Sequence, residues 1–272
     1  MDSTKGIGQG VNQVKSHRVR KELTHHGQVG RIILATPKAN ILDRATMLEF
    51  IDVLRVPARD DLKAIILESE GPHFSFGASV EEHLPRQIEE TLAVLRALLE
   101  ELTMVPAPTI AAVRGQCLGG GFELAIACDL IVAEENAQFG LPEIKLGVFP
   151  PAGAALLPAR IGASRSAELI ITGKSWTAAS ALAAGLVNRM TPSGELEAHV
   201  DQWMQADFLP RSATALRYAA EAARRPLVHA LKTELPELER MYLNELMVHP
   251  DAPEGIQAFL DKRQPRWAAG PR

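Results

Sequence analysis

The sequence predicts an α/β fold, a mostly parallel sheet flanked by helices, that gives way to a helical C-terminal region. Three observations carry this expectation. In the first half, short β-rich runs alternate with segments whose apolar residues recur at helical spacing, as when parallel strands are joined by crossover helices. After Ala152 strand patterns nearly vanish and alanine-rich helical segments follow one another. Between these halves an apolar run from Ile110 feeds into Gly119-Gly120-Gly121-Phe122-Glu123, a strand-to-helix corner.

Residues 1–16 carry Gly, Gln and Lys without an apolar run, so a mobile tail is expected rather than a signal peptide or a membrane span. Arg18 to Leu23 and Val29 to Ala35 read as strands joined across His25-His26-Gly27-Gln28, a hairpin. Pro37 to Asn40 breaks the pattern, and Met47, Phe50, Ile51 and Leu54 mark a helix over Arg44 to Leu54. Leu62 to Leu67 is a short buried strand, and Ile88 to Met104 a long amphipathic helix ended by Pro106 and Pro108. Strand Thr109 to Val113, helix Gly120 to Cys128 and strand Leu130 to Ala133 follow. Pro150-Pro151 reads as an elbow. Beyond it helices are expected at Ala163 to Thr172, Ala178 to Ala184, Leu196 to Gln205, Thr214 to Ala223, Leu227 to His249 and Glu254 to Lys262, with a brief apolar run at Leu186 to Met190. The expected organisation is thus a tail over 1–16, an α/β core over 17–191 and a helical region over 192–272.

A chain of 272 residues is long enough to bury a sizeable core. Its apolar fraction of 46% and net charge of −4 describe a soluble protein with no general attraction to nucleic acid or anionic membranes, and a cytoplasmic location is expected. Cys117 and Cys128 lie in apolar surroundings without metal-ligand spacing, so they read as buried free thiols.

Three glycines opening a helix leave backbone N–H groups bare at the positive end of its dipole, a corner that stabilises a phosphate or the oxyanion of a reacting carbonyl. No Gly-Lys-Ser/Thr ending and no Gly-x-Gly-x-x-Gly spacing accompanies them, which disfavours nucleotide sites. Instead Glu123 sits in the first helical turn, and a second carboxylate, Glu143, follows in Gly140-Leu141-Pro142-Glu143-Ile144. Singly, each is equally well a dipole partner or a first-turn residue; together beside the glycines they point to acid/base chemistry on an activated acyl group. Apolar neighbours Phe122, Leu124, Leu141 and Ile144 are expected to raise their pKa values. The loop His73-Phe74-Ser75-Phe76-Gly77-Ala78-Ser79 is a candidate source of a second oxyanion donor, and equally an ordinary Gly-containing loop.

From about Arg18 to Trp267 the chain resembles the crotonase (enoyl-CoA hydratase/isomerase) family. The resemblance is carried by Lys38-Ala39-Asn40-Ile41-Leu42, Phe74-Ser75-Phe76-Gly77-Ala78-Ser79, Gly115 to Ala125, Cys128-Asp129-Leu130, Ala137 to Ile144 and Ala178 to Val187, in order and at the family's spacing. It implies a spiral of ββα units, a C-terminal helical region used in trimerisation, and a homotrimer or dimer of trimers. It implies an acyl-CoA substrate, with coenzyme A part of that substrate and no separate cofactor or metal. By position, the N–H groups of Ala78 and Gly120 match the family's oxyanion pair, and Glu123 and Glu143 match the glutamates that hold and activate water in its hydratases. Contacts to the CoA ester are implied at Lys38, Ala39, Phe76 and Gly119, and from a neighbouring subunit at Phe259 and Lys262.

Two departures narrow the substrate. Ser79 stands where the family usually has Asp, and Phe149 to Pro158 replaces a Pro-Gly-Ala-Gly-Gly type of sequence after Glu143. Both resemble the cyclohexa-1,5-diene-1-carbonyl-CoA hydratases of aromatic degradation, which implies that Ser79 and Phe149 shape an alicyclic pocket. An apolar loop fits a linear acyl chain of fatty acid metabolism as well, and Pro150-Pro151 and Ser79 also suit plain helix-start and capping roles. The fold leaves room for an enoyl-CoA isomerase, a hydrolase, a decarboxylase or a catalytically silent binding module; both glutamates together favour a hydratase, a carbon–oxygen lyase.

Overall fold

The computed structural model describes residues 18–37, 39–55 and 59–268; the expected N-terminal tail lies outside them. The chain opens with the expected hairpin, β1 (Val19–Thr24) and β2 (Val29–Leu34), joined by a tight turn at His25–Gly27. Then come α1 (Arg44–Arg55), β3 (Ala64–Ser69), α2 (Ile88–Met104), β4 (Thr109–Val113), β5 (Gln116–Leu118), α3 (Gly120–Ala127), β6 (Leu130–Glu134) and β7 (Gln138–Gly140). The second half holds α4 (Pro151–Ile161), α5 (Ala163–Thr172), β8 (Ser175–Thr177), α6 (Ala178–Ala183), β9 (Arg189–Thr191), α7 (Leu196–Trp203), α8 (Ala213–Met241) and α9 (Asp251–Leu260).

These strands form two layers. The larger sheet runs β1-β2-β3-β4-β6-β9, parallel except for the hairpin at its edge. A smaller sheet runs β5-β7-β8, and single bridges at Ser75–Cys117 and Leu42–Ala78 extend that layer. After β3 and again after β4 the chain crosses from the large sheet into this second layer and then enters a helix. That succession is the ββα spiral. The three-residue strands of the small sheet are too short to show a period in sequence, and none was expected there.

Val, Ile and Leu of β2, β3, β4 and β6, apart from half-buried Leu130, are buried on both faces, as a helix-covered parallel sheet requires. On one face they meet α1–α4 and the α8 residues Leu227, Ala230, Leu231 and Leu235; on the other they meet Leu196, Val200 and Trp203 of α7. Among the described residues no helix is long and apolar enough to cross a membrane.

Two helical expectations need correction. The segments Thr214 to Ala223 and Leu227 to His249 are one helix, α8, which runs through Pro226 and Pro236. An interior proline costs roughly 3 kcal/mol, and the tertiary anchoring of α8 offsets this. Its buried Arg224 donates to Asp129 Oδ1 and Oδ2 (3.0 and 2.5 Å) and to the carbonyls of Thr103, Val105 and Ala107 (2.9, 2.8 and 2.9 Å). Asp129 Oδ2 in turn accepts the Thr109 N–H at 2.8 Å, so one ion pair ties α8 to the ends of α2, β4 and α3. The second concerns Pro150-Pro151, which form no plain elbow but set the start of α4, the other role the sequence allows. Pro151 occupies its first position, where the missing N–H has no partner to lose.

Replacing Arg224 by methionine strands Asp129 as a buried, unpaired carboxylate. Urea unfolding of Arg224→Met is expected to show a loss of about 3–5 kcal/mol; a loss under about 1 kcal/mol would mean that α8 is held by its apolar face alone.

Candidate active site

The glycine corner forms where β5 meets α3. Gly119 adopts φ +50, and its N–H donates to the Gly140 carbonyl (2.9 Å), pinning the corner to β7. Opposite it lies the loop after β3. Ser75 Oγ donates to the Asn40 carbonyl (2.7 Å) and accepts the Gly77 N–H (3.0 Å), while Leu42 N–H donates to the Gly77 carbonyl (2.9 Å). Gly77, at φ +97, turns the chain so that Ala78 faces the glycine corner. The two segments are in van der Waals contact: a Cβ on Gly77 would lie 2.8 Å from the Leu118 carbonyl oxygen, and one on Gly120 would lie 3.2 Å from the Ala78 nitrogen. Gly120 opens α3, so its N–H has no place in the helical ladder, and among the described residues neither it nor the Ala78 N–H has a backbone partner. Two free donors therefore sit side by side at one end of a cavity.

Phe76, Ala78, Gly119, Gly120, Glu123, Glu143 and Phe149 all line this cavity, together with His83, Thr91, Pro150, Pro151 and Tyr242. Glu123 projects from the first turn of α3 and is 3% exposed. Its Oε1 accepts the Gly153 N–H at 2.7 Å, the first turn of α4 being free to donate to it. Glu143 comes from a short 3-10 turn, Pro142–Leu146. Its Oε2 is buried without a hydrogen-bond partner. Gly119 makes room for the other oxygen, since a Cβ there would come within 2.8 Å of Glu143 Oε1.

Burial pushes Glu123 up to about 7, against the opposing N–H groups of Gly153 and Ala152 and with a further upward push from Glu239. Glu239 is itself paired with Arg96 at 2.8 Å. Burial, and then the charge of Glu123, push Glu143 upward as well. The two carboxyls thus titrate as a pair, with one of them favoured to hold a proton near neutral pH. Leu92, Leu95, Leu146 and Phe149 line the cavity around the pair, and of the expected apolar neighbours Phe122, Leu124 and Leu141 are buried while Ile144 is 41% exposed.

Other expected residues lie elsewhere. Ser79 is buried outside the cavity lining, and its hydroxyl donates to Glu81 Oε2 at 2.9 Å. It does not cap the turn that follows, which opens on Val80. Ala39 is outside the cavity lining, in a left-handed turn whose carbonyl accepts the Phe76 N–H (3.0 Å). Phe76 is 41% exposed at the cavity's rim, edge-on to His73 at 4.9 Å. Phe259 and Lys262 are exposed near the end of α9 and do not reach the cavity of their own chain. Lys38 lies outside the described residues. Cys117 and Cys128 are buried free thiols.

Among the cavity residues that the sequence does not single out are His83 and Tyr242. His83 donates through Nδ1 to the Ser79 carbonyl (2.7 Å), and burial lowers its pKa, so it is neutral. Tyr242, past the end of α8, packs edge-on against Phe149 at 5.5 Å. Neither sits in a motif, and only the tertiary fold brings them to the glutamates.

A raised carboxyl pKa has a definite sign in stability. Between the unfolded value near 4.5 and the folded value near 7, the native state binds the Glu123 proton more tightly, so stability falls as pH rises through that window. Glu123→Gln keeps the acceptor for Gly153 and removes this titration. Its stability relative to wild type is expected to rise between about pH 5 and pH 8, by on the order of 2 kcal/mol. Urea unfolding at the two pH values measures the gap, and a gap independent of pH would mean that Glu123 ionises normally.

With this geometry in view, comparison with known proteins identifies the family. The model for "Enoyl-CoA hydratase/isomerase" matches residues 24–270. A cyclohexa-1,5-dienecarbonyl-CoA hydratase of Thauera aromatica is 43% identical over 249 residues, covering 90% of this chain and 95% of that protein. The 2,3-dehydroadipyl-CoA hydratase of Escherichia coli K12 is 36% identical over 242 residues, covering 86% and 94%. Among solved structures, an enoyl-CoA hydratase of Mycobacterium avium subsp. paratuberculosis superposes with a TM-score of 0.81 at 28% identity, covering 93% of this chain and 99% of that one. The chain is an enzyme that belongs to the enoyl-CoA hydratase/isomerase family.

Proposed function

We propose that the protein adds water to the double bond of an α,β-unsaturated acyl-CoA, and that its substrate is a cyclic dienoyl thioester, cyclohexa-1,5-diene-1-carbonyl-CoA. The observation that carries the reading is a pair of coupled, buried carboxyls facing the same cavity as two unpartnered backbone N–H groups. In this reading the thioester oxygen accepts from the N–H groups of Ala78 and Gly120, which stabilise the enolate charge as it develops. One ionised glutamate takes a proton from water as its oxygen bonds to the β-carbon. The protonated glutamate returns a proton to carbon. With a simple enoyl group that carbon is α to the carbonyl. With the cyclic diene, protonation at the far end of the dienolate keeps the remaining double bond conjugated and yields 6-hydroxycyclohex-1-ene-1-carbonyl-CoA. Protons and charges balance between the two carboxyls, so the reading needs no cofactor beyond the coenzyme A of the substrate.

Support for the ring comes from the cavity wall and from a relative. Phe149, Pro150 and Pro151 line the cavity with rigid apolar surface, as do Leu92 and Leu95, and the Thauera aromatica protein with 43% identity is named for that substrate. Phe149, not Ser79, is the residue on which the ring preference rests. An isomerase needs one carboxyl and gains nothing from the burial of a second, which favours hydration. With crotonyl-CoA and the cyclic dienoyl-CoA competing in one vessel, the cyclic thioester is expected to be consumed at least about tenfold faster in kcat/KM, a difference of ~1.4 kcal/mol. Glu123→Gln and Glu143→Gln are each expected to lose about two to four orders of magnitude in turnover while retaining thioester binding. Faster use of crotonyl-CoA would return the enzyme to linear substrates, and near wild-type turnover in either variant would remove that residue from the chemistry.

We further infer a homotrimer or dimer of trimers in the cytoplasm, with Phe259 and Lys262 reaching a neighbouring subunit's site. The support is exposed apolar surface at Met104, Tyr218, Met241, Val248 and Phe259, at the end of α2 and along the C-terminal region. Sedimentation at micromolar concentration is expected to give three or six subunits; a clean monomer would remove the assembly and the roles of Phe259 and Lys262 with it.

A further inference from the structure

Tyr242 is 1% exposed, yet its hydroxyl has no hydrogen-bond partner. It begins a π-helical turn, Tyr242–Leu246, that continues α8; such turns are frequent at functional sites. The ring is fixed among Ile88, Leu92, Val148 and Ile256 and against Phe149, so the hydroxyl cannot swing to solvent to find a partner. A buried, unsatisfied phenol in a native protein calls for a ligand or a water. The same cavity holds a second orphan, Glu143 Oε2. Burial and the charges of Glu143 and Glu123 push the Tyr242 pKa upward, so the phenol keeps its proton and is a donor. Oε2 of Glu143, on a carboxylate or as the carbonyl oxygen of the acid, is an acceptor without a partner. The two do not bond to each other, and an oxygen between them that both accepts and donates satisfies both.

Other groups on the cavity wall are already committed. Glu123 Oε1 accepts from Gly153. Thr91 Oγ1 donates to the Glu82 and Gln87 carbonyls (3.3 and 3.2 Å). Pro150 and Pro151, at the start of α4, have no N–H to offer. Neutral His83 uses its one N–H on the Ser79 carbonyl, which leaves Nε2 an acceptor. The N–H groups of Ala78 and Gly120 belong to the thioester oxygen in the reading above. Among the described side chains lining the cavity, Tyr242 is therefore the donor left for water once the protonated carboxyl is reserved for carbon.

We propose that Tyr242 positions the reacting water: its O–H donates to the oxygen whose own O–H is given to Glu143 Oε2, and the same pair holds the new hydroxyl in the product. This rests on the hydratase reading and adds a third group to it. During the reaction the water O–H bond breaks toward a glutamate, the C–O bond forms at the β-carbon, and a carboxyl proton goes to the enolate carbon. Tyr242 keeps its proton throughout and orients a lone pair toward the alkene.

Tyr242→Phe in the full-length enzyme removes only the hydroxyl. Thermal unfolding is expected to be unchanged or to shift upward, since an unsatisfied buried polar atom is lost. The kcat for hydration is expected to fall about 10- to 100-fold, with KM for the unsaturated thioester within about threefold. Affinity for the β-hydroxyacyl thioester is expected to fall about tenfold, while affinity for the saturated acyl thioester, which has no hydroxyl, stays the same. A kcat within twofold of wild type, or equal losses for the hydroxylated and saturated thioesters, would overturn the proposal by reducing Tyr242 to packing. Wild type that hydrates no enoyl thioester would instead sink the hydratase reading, and this proposal would fall with it.

Discussion

A side chain at Gly120 would bring its Cβ within 3.2 Å of the Ala78 nitrogen, and one at Gly119 would bring it within 2.8 Å of Glu143 Oε1. The site exists because two backbone corners touch where no Cβ intervenes. Gly77 and Gly119 take positive φ values that other residues adopt only with strain. Their contact is held by pairing across the second layer: Leu118 N–H donates to the Ser75 carbonyl (2.9 Å), and Ser75 N–H donates to the Gln116 carbonyl (3.0 Å). The small sheet is thus a clamp. Its short strands contribute little core, but they fix two N–H donors relative to the helix that carries Glu123.

Against that rigid edge the protein sets two carboxyls that burial destabilises. Glu123 is partly compensated by the N–H groups at the start of α4, whereas Glu143 Oε2 and the Tyr242 hydroxyl are left without partners. An unsatisfied buried polar group typically costs about 1–3 kcal/mol. A fold selected for stability alone would satisfy or remove these atoms, and sites where local rules fail in this way are characteristically functional. The cost is carried by apolar packing on both faces of the large sheet and by the Arg224–Asp129 ion pair, which is fully hydrogen-bonded where the site is not.

What was legible in the sequence follows from the range of the forces involved. Strands β2, β3 and β4 announce themselves as short continuous apolar runs, and helix α2 because its apolar residues recur at helical spacing. The glycine corner and both glutamates were legible because turn chemistry and chemical function lie within a few residues of each other. Strands β5, β7 and β8 were not, since three residues carry no period. The proline-interrupted α8 misled because local propensity argues for a break while Arg224 and four apolar contacts hold the helix together. Ser79 shows the limit of reading a motif position as a contact: it neighbours Ala78 in sequence, yet its side chain points to Glu81. Tyr242 comes from more than ninety residues beyond Glu143, so only the folded chain reveals it.

In the proposed reaction two buried carboxyls pass one water across a double bond polarised by the Ala78 and Gly120 N–H groups. Turnover of an unsaturated acyl-CoA in deuterated, oxygen-18-enriched water tests it most directly. The account predicts a thioester product carrying one heavy oxygen on its β-carbon and one solvent deuterium on carbon, with both incorporations lost together in Glu123→Gln and Glu143→Gln. Deuterium without heavy oxygen would mean double-bond migration, and heavy oxygen in a free acid would mean thioester hydrolysis; either result would contradict it.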